Sequence, residues 1–139
     1  MNIIRILIAD DHALVRESIR AILANQNDME IIATAENGVE AVELVKAINP
    51  DVVVMDISMP QMDGIHATEL IRKEENPANV IILSMHINAA LVKQAILMGA
   101  KGYVLKGSAT EDLPMAIRAA YQEKVFLSPT IPLGFLPHN

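Results

Sequence analysis

Cysteine is absent from the 139 residues, and so is tryptophan. The first absence excludes disulfides, thiolate metal sites and cysteine nucleophiles, and it fits a cytoplasmic protein. Aromatic residues make up 3% of the chain, while hydrophobic residues of all kinds reach 52%. The core therefore has to be built from Ile, Val, Leu, Ala and Met. Such a chain is too apolar to stay disordered, and it favours α/β layering, where buried parallel strands read as continuous aliphatic runs. Basic charge is also short: 11 basic against 17 acidic residues leave a net charge of −6. No Lys/Arg run stands out, so direct nucleic-acid binding by this segment is not expected. No stretch reaches the roughly 20 apolar residues of a membrane span. The start, Met1-Asn2-Ile3-Ile4-Arg5, runs straight into a strand-like segment and lacks the plan of a signal peptide.

What is present is an alternation of short apolar runs and longer segments of helical period, on a length that suits one domain. Ile3 to Ala9 is the first run, and it ends in Asp10-Asp11. From about His12 to Asn25, Val15, Ile19, Ile22 and Leu23 share a helix face. Met29 to Thr34 is a second strand, and Asn37-Gly38 opens a helix that Asn49-Pro50 stops. Asp51-Val52-Val53-Val54-Met55-Asp56 is the clearest buried strand, with Pro60 and Gly64 punctuating the loop behind it. A helix from about Asp63 to Glu74 precedes a strand from Asn79 to Met85. The next helix, about Asn88 to Met98, ends at Gly99. Gly102 to Leu105 is a fifth strand, and a last helix is expected from about Thr110 to Gln122, with the Thr110 hydroxyl suited to cap it. Five strand–helix units imply a doubly wound parallel sheet with helices on both faces. The segment from Val125 differs, with Pro129, Pro132 and Pro137 among apolar residues. It reads as a linker or extended arm rather than a sixth unit, which divides the chain into a body over 1–123 and a tail over 124–139.

In a doubly wound sheet, functional side chains gather at the carboxyl ends of the strands. Here those ends carry Asp10, Asp11, Asp56, Ser84 and Lys106. Clustered carboxylates repel one another, and a hard divalent cation resolves the repulsion. Mg²⁺ takes oxygen ligands and one or two carboxylates. Lys106 suits a phosphate oxygen as a point charge, and Ser84 can donate to another. Asp56, between them, is the natural nucleophile toward phosphorus, giving an acyl phosphate. Each piece alone has a plainer reading: an Asp-Asp pair is most often a solvated turn or cap, a lone lysine a surface residue, a serine a satisfied core hydroxyl. The case rests on their joint placement. His12, His66, His86 and His138 show no paired metal spacing and read as surface histidines. Met55, Met59, Met62 and Met85 read as core or rim packing.

The constellation resembles the receiver domain of bacterial two-component response regulators. Asp10-Asp11, the run Val52 to Asp56 with Met59-Pro60 and Asp63-Gly64, Ile81-Ile82-Leu83-Ser84, and Gly102-Tyr103-Val104-Leu105-Lys106 carry the resemblance, which covers about residues 3 to 122. It implies a flavodoxin-like fold with five strands in the order 2-1-3-4-5. It implies phosphotransfer from a sensor histidine kinase onto Asp56, with Lys106 and Ser84 assisting. Mg²⁺ would be held by Asp11, Asp56 and the backbone carbonyl of Ser58, with Asp10 acting through water. Tyr103 matches the family's switch aromatic, which turns inward as Ser84 moves toward the phosphoryl group. Ser58 and His86 occupy positions that tune phosphoryl lifetime in the family. The family often has Lys-Pro where this chain has Lys106-Gly107, which leaves the isomer of that bond open.

Val125-Phe126-Leu127-Ser128-Pro129 resembles the segment after the last receiver helix in regulators of the LuxR/NarL type, whose output domain is a helix-turn-helix. The expectation is a phosphorylation-switched partner surface serving transcription through an output domain outside this segment, with a homodimer as a possible assembly. Two rivals stand beside it. A phosphatase of the haloacid-dehalogenase type also uses Asp, Mg²⁺ and Lys, but it wants Asp-x-Asp after its first strand. A receiver-like protein that has lost phosphorylation would act by contact alone, which the intact set of Asp10, Asp11, Asp56, Ser84 and Lys106 disfavours.

Overall fold

A computed structural model of the chain describes residues 2–137; His138 lies outside the described residues. The strands are β1 (Ile4–Ala9), β2 (Met29–Ala35), β3 (Val52–Asp56), β4 (Asn79–Ser84), β5 (Gly102–Leu105) and β6 (Phe126–Leu127). The helices are α1 (Ala13–Leu23), α2 (Gly38–Ile48), α3 (Gly64–Arg72), α4 (Ala89–Leu97) and α5 (Ala109–Tyr121). All six strands pair in parallel in the order β2-β1-β3-β4-β5-β6. The doubly wound architecture is as expected. None of the helices among the described residues is long and apolar enough to cross a membrane.

Alternation along the strands splits the core in two. Ile6, Ile8, Val52, Val54, Ile81, Leu83 and Val104 pack with Ile19 and Leu23 of α1 and Leu113 and Ile117 of α5. Leu7, Val53, Met55, Val80, Ile82 and Tyr103 face the other way, onto α2, α3 and α4. Every residue of β3 from Val52 to Met55 is fully buried, because both faces of this central strand are covered. That is why its sequence is a continuous run rather than an alternation. Fully burying one such aliphatic side chain is worth roughly 1.5–3 kcal/mol.

Helix ends follow local chemistry. The side chain of Asn37 accepts from the amide of Glu40, Asp63 from His66 and Asn88 from Leu91, capping α2, α3 and α4. Helix α4 ends in a left-handed turn at Gly99 (φ 107°), where the Ala100 amide donates to Ala95 O and the Gly99 amide to Ile96 O, both at 3.0 Å. This pair of bonds satisfies carbonyls the helix leaves open, and glycine takes the positive φ without strain.

Three expectations change. Thr110 lies inside α5 rather than capping it. A 3-10 turn over Lys106–Ser108 leads into the helix, and Ser108 at the cap position donates to the carboxylate of Asp112 (2.7 Å) instead of accepting from the helix amides. Met85 is 70% exposed and packs in neither core. The tail also does more than link. Phe126–Leu127 adds a sixth strand beside Gly102 and Tyr103, Ser128 is fully buried, and Ile131 enters the core that holds Tyr103. The Ser128 amide donates to Tyr103 O at 3.1 Å, and its hydroxyl accepts from the Leu105 amide at 3.0 Å. A two-residue strand has no period to read, and the prolines around it suggest a linker.

Because Ile131 is 3% exposed, Ile131→Ala should lower unfolding free energy by about 2–5 kcal/mol, the range for truncating a buried isoleucine. Urea denaturation of both chains measures this. A loss within the scatter of a surface substitution would mean that the segment is not docked in solution.

Candidate functional site

Strand register assembles the site. Ala9 of β1 lies opposite Met55 of β3, so Asp10 and Asp56 leave the sheet side by side. Ser84 of β4 lies opposite Leu105 of β5, so Lys106 emerges next to Ser84. The loop after β3 is folded back on the strand end: the Gly64 amide donates to Ile57 O at 3.0 Å. A Cβ at residue 64 would collide with the carbonyl oxygen of Asp56, so only glycine permits that approach.

Asp10 is fully buried and Asp56 is 3% exposed. Lys106 joins them, with Nζ 3.1 Å from Oδ1 of Asp56 and 3.4 Å from Oδ2 of Asp10. The other oxygen of Asp10 accepts from the His12 amide at 2.8 Å. Nδ1 of His12 lies 3.3 Å from that same oxygen and 3.1 Å from Oδ1 of the exposed Asp11. Arg16 donates to the backbone carbonyl of Asp10 at 2.7 Å, pinning the residue from α1. The Ser58 amide points at Oδ1 of Asp56 from 3.4 Å.

These surroundings raise the carboxyl of Asp56 above the usual aspartate range. Burial is the main cause and the charge of Asp10 the second; Lys106 and the Ser58 amide pull the other way. One lysine therefore faces two buried carboxylates and a third at the rim. Ligand atoms of Asp10, Asp11, His12 and Asp56 all lie within 4.8 Å of one another. Three carboxylates with this spacing suit a hard divalent cation, which would supply the positive charge the cluster still lacks.

The structure thus brings together Asp10, Asp11, Asp56 and Lys106, with Ser58 at the edge. Ser84 is adjacent but otherwise engaged: its hydroxyl donates to His86 O and accepts from the His86 amide, both at 3.1 Å. Tyr103 is fully buried, and its hydroxyl donates to the same His86 carbonyl at 3.4 Å. Burial raises its phenol above the usual value, with Ser84 opposing. The Lys106-Gly107 bond is trans, as are all peptide bonds among the described residues. Sequence reasoning passed over two neighbours. His66 and His86 are exposed as expected; His12 is exposed too, but it stands against the acidic pair. Arg16 gave no signal beyond its place one turn into α1.

The profile of the response regulator receiver domain matches residues 6–118. The chain belongs to that family. Among curated relatives, this receiver chain is similar to the transcriptional regulatory protein DegU of Brevibacillus brevis, at 38% identity over 94% of the chain and 55% of the relative. It is similar to the oxygen regulatory protein NreC of Staphylococcus aureus (strain JH9), at 42% identity over 88% of the chain and 57% of the relative. The chain spans about half the length of these relatives. Among solved structures, a LuxR-family two-component response regulator from Aurantimonas sp. SI85-9A1 superposes with a TM-score of 0.88 at 36% identity, covering 94% of this chain and 93% of that one. The signal receiver domain of the putative response regulator NarL from Mycobacterium tuberculosis gives 0.85 at 33% identity, over 89% and 100%. The receiver is thus of the LuxR/NarL kind.

The raised carboxyl carries a stability consequence of definite sign. Between the ordinary aspartate value, about 3.9, and the higher folded value, the folded chain keeps a proton that the unfolded chain releases. Stability therefore falls as pH rises through that window and stays reduced above it. Asp56→Asn removes the penalty while Lys106 keeps Asp10. In urea titrations the mutant should match the native chain near pH 3.5, exceed it increasingly as pH rises through that window, and keep a constant excess above it. A mutant less stable at pH 7 would mean that the Lys106 pairing outweighs burial.

Proposed function

We propose that Asp56 is the phosphoacceptor of this receiver. The observation that carries the reading is the ammonium of Lys106 set between Asp56 and Asp10 at the carboxyl edge of the sheet. An oxygen of Asp56 attacks phosphorus of a phosphohistidine on a sensor histidine kinase. The P–O bond forms as the P–N bond breaks, and the leaving imidazole takes up a proton. Lys106 balances charge on a phosphoryl oxygen, and burial keeps that interaction strong. Mg²⁺ fits the oxygen donors: Asp11, Asp56 and the Ser58 carbonyl would hold it, with Asp10 reaching it through water. When bound, it neutralises negative charge on the transferring group. The domain turns over only its own phosphoryl group and is not a general phosphatase.

The readout runs through Ser84 and Tyr103. Both hydroxyls donate to the carbonyl of His86. A phosphoryl oxygen on Asp56 is a stronger acceptor than that carbonyl, since it is charged. Ser84 turning toward it leaves the His86 carbonyl to Tyr103 and moves the loop between β4 and α4. The surface of α4, β5 and α5 then differs between states, and a partner that prefers one shifts the population. That partner is a second copy of the domain or an output domain. Residues 1–123 form the receiver body, and the tail that begins at residue 124 adds the sixth strand, Phe126–Leu127, to its sheet. DegU is described as a transcriptional regulator, which supports control of transcription through an output domain of the whole protein. Direct DNA contact by a segment of net charge −6 is not part of the reading. A cytoplasmic site of action follows from a kinase partner, and no contact with a membrane is required.

Acetyl phosphate with Mg²⁺ should add one phosphoryl group per chain, sensitive to hydroxylamine and abolished by EDTA. Asp56→Asn should reduce labelling below detection in intact-mass spectrometry with the fold retained. Labelling of the mutant at another residue would reject Asp56, and sustained hydrolysis of a phosphomonoester would favour the phosphatase rival.

A further inference from the structure

We propose that His12 is a nitrogen ligand of this site, making it selective between kinds of divalent cation. The inference rests on the reading that the acidic cluster holds a cation. His12 occupies the cap position of α1, yet its side chain makes no capping bond to the helix. The imidazole is instead turned onto the acids, with Nδ1 3.1 Å from Asp11 and 3.3 Å from Asp10. Its backbone is tied to the same place by the bond from the His12 amide to Asp10. Lys106 holds the opposite oxygen of Asp10. An ion shared between Asp11 and His12 therefore does not need the Asp10 oxygen that Lys106 occupies.

The donor set decides what such a ligand does. Mg²⁺ prefers oxygen and keeps much of its water, so an imidazole adds little for it. Zn²⁺ and its transition-metal neighbours take imidazole readily. A site of carboxylates alone discriminates poorly between these classes; one with His12 at its rim binds the second class more tightly. The consequence is regulation at the phosphotransfer site itself, where a nitrogen-seeking divalent ion competes for the place that Mg²⁺ takes. His12 is 66% exposed, so substituting it leaves the core untouched.

The test is calorimetric titration of the untagged chain with Zn²⁺ and, separately, Mg²⁺, in the native chain and in His12→Ala. Zn²⁺ affinity should fall by about 10- to 100-fold in the mutant, a range seen even for lost outer partners of metal ligands. Mg²⁺ affinity should change by less than about twofold, since imidazole is a poor Mg²⁺ ligand. Ring ¹⁵N shifts in the native chain should show Zn²⁺ on Nδ1 of His12. Unchanged Zn²⁺ affinity, equal losses for both ions, or a His12 ring that does not respond would each overturn the assignment while leaving the cation reading intact. A native chain that binds neither ion would overturn both.

Discussion

A single ammonium group between two buried carboxylates sets the terms for the rest of this molecule. Lys106 comes from the end of β5, Asp10 from β1 and Asp56 from β3. The three reach each other only if the sheet closes in its observed order. Buried acids are costly to leave unpaired, and removing the one charge that compensates a buried partner commonly costs about 3–5 kcal/mol. Yet one positive charge does not balance two or three negative ones. The folded chain therefore carries an electrostatic deficit at one edge, and the raised carboxyl of Asp56 is its direct expression. Such local costs are tolerated where they serve chemistry. The two aliphatic cores that cover β3 from Val52 to Met55 supply the stability that offsets this one.

Much of this arrangement was legible in the sequence, for identifiable reasons. β3 is covered on both faces, so its run of valines is unbroken and its carboxyl-terminal Asp56 stands out. Gly99 marks the end of α4 because the closing turn needs a positive φ. Sequential parallel strands then leave few topologies, and their carboxyl ends place Asp10, Asp56, Ser84 and Lys106 on one edge.

What was not legible depends on side-chain direction or on pairing too short to have a period. Phe126–Leu127 shows no alternation over two residues, and Pro129 and Pro132 disguise a segment whose Ser128 and Ile131 are buried. The cap of α5 was misassigned because Thr110 and Ser108 are equally plausible hydroxyls, and the 3-10 turn over Lys106–Ser108 that decides between them is too short to leave a period in the sequence. His12 has no partner histidine at metal spacing. Its significance lies in a rotamer that turns it toward Asp11, which no spacing rule encodes. Ser84 was read by the role its position implies, whereas its hydroxyl is engaged by the backbone two residues ahead.

That last detail bears on how a phosphoryl group could be felt at a distance. A free hydroxyl at Ser84 would gain a new bond outright, with no consequence for the loop that follows. An engaged hydroxyl has to exchange one acceptor for another. The carbonyl it gives up belongs to His86, which Tyr103 also uses. A neutral hydrogen bond contributes about 0.5–1.5 kcal/mol net and one to a charged group about 1.5–3, so the exchange is favourable by roughly 1–2 kcal/mol. That is the scale of ordinary coupling between sites. It is enough to shift a balanced population by about tenfold, and too small to drive a strongly biased one across alone. A switch built on this exchange would therefore need a partner with its own preference for one surface to complete it. The docked segment from Phe126 to Ile131 is well placed to influence that balance, because Ser128 bonds to the backbone of both Tyr103 and Leu105, in the strand that leads to Lys106.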